Sequence, residues 1–199
     1  MELTVGSLVQ NSIKKGIKYV GPLVVNVLLY FITFLVPYLN VGTTIGLWFG
    51  IPAKMARDEE ISFTEIFDAK YRKNMGEIFL TMGLVYMGVL AGFIFMIIPG
   101  YVIMIAWMLA LILVADKEYT PLDAIKKSNN ITYGKKWTIF FGMIVLQVVV
   151  WIVVGILVTI FSKISAALGG LVMVACMLFA TSIGLGFMGE LYGTLAKDA

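Results

Sequence analysis

The chain has no histidine, one cysteine and few charges, and each shortage closes off a class of chemistry. Without histidine, and with Cys176 alone inside an apolar run, zinc and haem sites lack their usual ligands. A single thiol also forms no disulfide within the chain. No Ser/His/Asp set, phosphate loop or dinucleotide fingerprint is present, so hydrolysis has no evident base. No catalytic, cofactor-binding or metal-ligating residue is therefore expected, and the chain reads as a non-enzyme. The net charge of +3 is too scattered to suggest nucleic acid. Charged residues make up 14% of the chain, against about 25% in soluble domains. What fills the gap is apolar: 60% of the 199 residues are hydrophobic. A water-soluble fold cannot hide that much apolar surface, so the class is integral membrane protein, one domain over 1–199.

Three polar stretches divide the apolar runs: Glu2-Leu3-Thr4-Val5-Gly6-Ser7, Glu60-Ile61-Ser62-Phe63-Thr64-Glu65 and Glu118-Tyr119-Thr120-Pro121-Leu122-Asp123. Glu at 2, 60 and 118, and Ser/Thr at 4, 62 and 120, recur at a step of 58. Each copy predicts a helix start. Thr4, Ser62 and Thr120 are N-caps, and Glu65 completes a capping box that Ser7 and Asp123 repeat more weakly. Pro121 stands at the first helical position, where its missing N–H is harmless. Val5, Leu8, Val9 and Ile13 share one face, as do Phe63, Ile66, Phe67 and Tyr71; the third face, Pro121, Ala124, Ile125 and Asn129, is degenerate. Each stretch ends in basic residues, which suits an amphipathic helix lying at the membrane–water interface; the alternative is a loop helix packed on protein.

The apolar runs are Ile17 to Tyr38, Val41 to Met55, Gly76 to Ile98, Tyr101 to Ala115, Trp137 to Ser162 and Ile164 to Met188, with turns at Pro37–Asn40, Pro99–Gly100 and Lys163. The second and fourth have 15 residues, about 22 Å, and must borrow flanking residues to cross a core of about 30 Å. The expected fold is an all-α integral membrane protein of six transmembrane helices. They form three parallel helical-hairpin repeats (about 1–57, 58–115 and 116–199), each led by an amphipathic interfacial helix. That arrangement puts fourteen of the fifteen Lys/Arg on the side of both termini, and only Lys163 opposite. By the positive-inside rule the shared side is cytoplasmic.

No ionisable group lies near a span midpoint. Glu77 suits the N-terminus of its helix, whereas Glu190, at a C-terminus, has no such account. Asn26, Gln147, Thr181, Ser182 and Glu190 are the candidates for a polar path; for Asn26 and Gln147 the competing reading is a hydrogen bond between helices. Gly42, Gly46, Gly50, Gly88 and Gly92, at four-residue intervals, are candidate helix-packing positions. Lys14, Lys15, Lys70, Lys73, Lys126 and Lys135 are candidates for lipid headgroups.

The chain resembles the YciC-like inner-membrane proteins and the related membrane domain of some glycerophosphodiester phosphodiesterases. The resemblance lies in Ile98-Pro99-Gly100-Tyr101, the run to Val114-Ala115-Asp116, Thr120-Pro121-Leu122-Asp123-Ala124-Ile125-Lys126-Lys127-Ser128, Gly134-Lys135-Lys136-Trp137 and Phe63-Thr64-Glu65-Ile66-Phe67. It implies a six-helix, multi-pass inner-membrane protein and carries no catalytic residue across.

Two functions follow as expectations. The first is a non-enzymatic homo-oligomer that assembles through its glycine-rich spans into a pore or translocation path for a small solute. The alternative is a lipid-binding or scaffolding module that holds a partner protein. A weaker third is a lipid-modifying enzyme using Glu190 or Glu77.

Overall fold

The computed structural model describes residues 3–196, and within them the chain is helical, without strands. Glu2 and Lys197, members of the repeat and of the charge count, lie outside the described residues.

The first helix, α1 (Val5–Lys18), starts where its cap predicts. The Ser7 N–H donates to Thr4 Oγ1 at 3.2 Å, and the Thr4 N–H donates back to Ser7 Oγ at 3.1 Å. At Tyr19 the chain turns by 75° into α2 (Val20–Thr33). The expected span from Ile17 to Tyr38 is thus broken at both ends. Pro37 does not close it; it opens α3 (Pro37–Ile45) from the first helical position, after an extended Val36. Both follow from the proline ring, which lacks an N–H and pushes its predecessor out of the helical region. From α3 the chain passes through a wider π turn, Gly46–Gly50, into α4 (Ile51–Ala56). The short second run therefore gains its length from residues 37–40.

The second capped stretch is not an α-helix. It forms two short 3₁₀ turns, Glu65–Phe67 and Ala69–Arg72, separated at Asp68. The Ser62 N–H still donates to Glu65 Oε2 at 3.4 Å, but Ser62 Oγ accepts from the Thr64 N–H, so the box does not close. Ile66 and Tyr71 are buried as expected, while Phe63 is exposed.

Then come α5 (Met75–Phe95), α6 (Ile97–Trp107) and α7 (Ala110–Lys117). The turn between α5 and α6 falls at an extended Met96, earlier than Pro99–Gly100, which sit in the first turn of α6. No intrahelical acceptor waits for an N–H there, so proline is accommodated. Residues 97–117 together make a 21-residue span, which is how the fourth apolar run reaches crossing length. The third capped helix, α8 (Pro121–Thr132), carries its Thr120 cap on the Asp123 N–H. It packs on protein: Ala124, Ser128 and Thr132 are buried against α6 and α7. Ser128 Oγ donates to the Ala106 carbonyl at 2.7 Å and accepts from the Leu109 N–H at 3.3 Å, filling the break between those helices.

The chain closes with α9 (Lys136–Ser162), a turn at Lys163 and α10 (Ala166–Leu195), capped by Ser165. Among the described residues, four segments are long and apolar enough to cross a membrane: 75–95, 97–117, 136–162 and 166–195. The bent pair α1–α2 adds a fifth if it is taken as one.

The C-terminal part of α10 is the hub. A Cβ on Gly186 would sit 2.5 Å from the Ser12 carbonyl, and one on Gly16 would sit 2.7 Å from Ile183 Cα. On the next turns, Gly189 and Gly193 take α4 at Met55 and Ala56 in the same way. Small residues let these backbones approach, and that contact extends α10 past Met188 to Leu195. The apolar face of α1 is spent here, with Leu8 fully buried beside Gly142 and Phe187. The apolar faces of α1 and α8 thus pack on protein.

Candidate functional site

The helix ends gather most of the charges into a layer of separate clusters. Arg57, just past α4, pairs with Glu59 and reaches across to Asp116 at the end of α7. The other Asp116 oxygen accepts from the Tyr192 hydroxyl of α10 at 2.8 Å, so three helices meet on one carboxylate. Lys15 pairs with Glu190 at 3.1 Å, and Asn11 Nδ2 donates to the same carboxylate at 2.9 Å. Lys18–Asp58 and Lys73–Glu118 are exposed pairs at 2.9 and 2.7 Å.

Glu65 is the one buried carboxylate among these. It accepts from Lys54 at 2.9 Å, Lys70 at 3.0 Å and the Tyr71 hydroxyl at 2.8 Å, and its side chain is only 4% exposed. Burial alone raises a carboxyl pKa, but the three donors outweigh it and hold Glu65 below the usual range. Burial and the adjacent Glu65 charge push the Tyr71 hydroxyl upward, so it stays protonated and keeps donating. The two 3₁₀ turns around this carboxylate are separated at Asp68, whose Oδ1 accepts from the Lys70 N–H at 3.0 Å.

Two of the clefts in this layer are rich in lysine. One, about 340 Å³, is lined by Lys54, Arg57, Lys70, Lys73, Asp116 and Glu118. The other, about 480 Å³, lies between α1 and α10, where Lys14, Lys15 and Lys18 face Asp58 and Glu190. Three cations to two anions leave Lys14 without an ion pair among the described residues.

The five polar-path candidates are not joined. Asn26 is fully buried and donates to the Pro22 and Ser62 carbonyls, both at 2.8 Å, while its Oδ1 accepts from the Ile66 N–H at 3.0 Å. Ser182 and Thr181 each donate to a carbonyl one turn back, at Leu178 and Met177. Glu190 belongs to the charged layer, and Gln147 is exposed on α9. Among the described residues no hydrogen bond links any two of the five. Glu77 is exposed near the start of α5.

All five glycines face neighbours in the same chain. A Cβ on Gly46 would lie 2.7 Å from the Tyr71 ring, and Gly50 lies under the same ring; Gly42 takes the Arg72 side chain. On α5, Gly88 takes the Trp107 ring, and a Cβ on Gly92 would come 3.0 Å from Gly100 Cα. Of the six headgroup lysines, Lys15, Lys70 and Lys73 hold acidic partners, whereas Lys14, Lys126 and Lys135 have no ion pair among the described residues.

Sequence reasoning missed the Arg57–Asp116–Tyr192 junction and the burial of Glu65. The available signal was that Lys54, Arg57 and Asp116 each stand where an apolar run ends. Compared with family models, curated proteins and solved structures, the chain matches none.

Proposed function

We propose that this chain is a non-enzymatic membrane module that holds anionic phospholipid headgroups, and through them a partner, at its charged face. The observation that carries the reading is a contrast within the molecule. Interior polar groups such as Asn26, Ser128 and Ser182 are satisfied by nearby backbone, while the cleft between α1 and α10 keeps a surplus lysine. A phosphate oxygen there would meet Lys14 and the edge of the Lys15 and Lys18 pairs, and basic residues near a membrane surface contribute about 1 kcal/mol each. In this reading the charged face and both termini are cytoplasmic, in the inner membrane. The segments α2 and Pro37–Ala56 form the first of three hairpins, completing six crossings, in line with the resemblance to YciC-like proteins.

A translocation path is the second reading, favoured by one observation: Gln147 faces outward from α9, so a path between copies is the place for it. Two measurements separate the readings. Lipid retained through purification in mild detergent is expected to be enriched in anionic species, and Lys14→Gln with Lys126→Gln and Lys135→Gln is expected to lower it several-fold. Retention unchanged in the triple variant refutes headgroup binding. Solute flux through the protein in liposomes, across a panel of ions and small molecules, moves the assignment to the path.

A further inference from the structure

The glycine stripes are spent on contacts inside the chain, so they do not build an assembly between copies. One span nevertheless remains largely uncovered. Of the most apolar window of α9, 6% is buried, against 44% for residues 97–117. On that bare helix Ile144, Gln147, Val148 and Trp151 recur at i, i+3, i+4 and i+7, and all are exposed, so they share one side. Gly155, one turn further along, is exposed too, and a Cβ there would meet nothing within 4 Å. It differs in this from Gly142 on the same helix, which is filled by Leu8.

Gln147 is the anomaly. It stands 11 residues from Lys136 and 16 from Lys163, about 17 and 24 Å along the axis, too deep for the amide to reach either surface. Its side chain makes no hydrogen bond among the described residues. In hydrocarbon an amide with four unmet hydrogen-bonding positions is costly, and a partner helix bearing polar groups relieves it.

We propose that α9 is a self-association face, and that Gln147 of one copy pairs with Gln147 of a second copy across a two-fold axis along the membrane normal. An amide both donates and accepts, so two identical ones satisfy each other. A second copy inserted the same way, anchored by the same Lys136, Trp137 and Lys163, brings its amide to the same depth. The Ile144, Val148 and Trp151 side chains pack around the pair, and Gly155 lets the backbones approach beyond it. This inference does not rest on headgroup binding, since residues 144–155 of α9 include none of the lysines assigned to headgroups.

The test uses the full chain in lipid bilayers. With Cys176→Ala removing the only thiol, single cysteines are placed at 144, 147, 148, 151 and 155, and at 139, 142 and 146 on the buried side. Mild oxidation is expected to yield disulfide dimers at the first set, in a three-to-four-residue period, and few at the second. Separately, Gln147→Leu is expected to weaken dimerisation about three- to tenfold, the range two hydrogen bonds between helices supply, and Gln147→Asn to restore part of it. Because the residue is exposed, the Leu variant keeps its fold, which its helical circular dichroism checks. Cross-links without periodicity, a dimer indifferent to Gln147→Leu, or a Gln147-dependent complex with a different protein each overturn the proposal.

Discussion

The side-chain amide of Asn26 holds the backbone of Ile66, accepting its N–H at 3.0 Å across 40 residues of sequence. The same amide donates to the Ser62 carbonyl, so one residue of α2 clamps both sides of the turn that carries Glu65. A residue that looked like part of a polar path is a fastener between a helix and a loop.

Asn26→Leu leaves the buried Ile66 N–H unpaired and takes one of two donors from the Ser62 carbonyl, which keeps the Glu65 N–H at 3.2 Å. The expected cost is about 1–3 kcal/mol, read as a lower thermal midpoint in detergent, because an unmet buried group carries its full desolvation penalty. A variant as stable as the parent would show that the clamp contributes nothing.

Glu65 makes stability depend on acid. Its folded pKa lies below the ordinary 4.5, so its contribution is complete above that value and fades as pH falls through the folded pKa. Melting followed from pH 7 downward is expected to stay level until about pH 4.5 and then drop. Glu65→Gln is expected to cost about 1–3 kcal/mol at neutral pH, since Lys54 loses its ion pair and Lys70 keeps only Asp68, and to flatten that part of the drop.

The Tyr71 ring fills the space left by Gly46 and Gly50 beside the π turn. Gly50→Val would displace it and take the hydroxyl from Glu65, with an expected loss of about 2–4 kcal/mol by overpacking and a broken buried hydrogen bond. Tyr71→Phe, which keeps the ring, is expected to lose only about 1–2 kcal/mol. Equal losses in the two would place the energy in the hydroxyl and remove the packing account. The exposed Lys73–Glu118 pair is the contrasting control, since solvent screens it and its removal is expected to leave the thermal midpoint unchanged.

Composition and local chemistry were enough for much of this protein. Low charge and long apolar runs fix the class, because no soluble fold buries such a surface. The Thr4 and Thr120 caps, the Lys163 turn and the whole of α9 were legible since each depends on neighbouring residues. The spacing of Gly42, Gly46 and Gly50 announced close packing, though it did not name the Tyr71 ring as its occupant. The second capped stretch shows where that reasoning stops: its motif matches the first, but Glu65 is buried against Lys54 from another helix, and the stretch forms two 3₁₀ turns. Pro37 and Pro99 misled for a related reason, as a proline closes one helix or opens the next according to where the chain packs.

What local pattern determined, then, is the apolar class and most helix starts. Tertiary structure decided which polar groups meet, why α1 lies on α10, and which helix is left bare. Caps and hydropathy act within a turn or two, whereas burial of Glu65, the Asn26 clamp and the isolation of Gln147 depend on residues tens of positions apart.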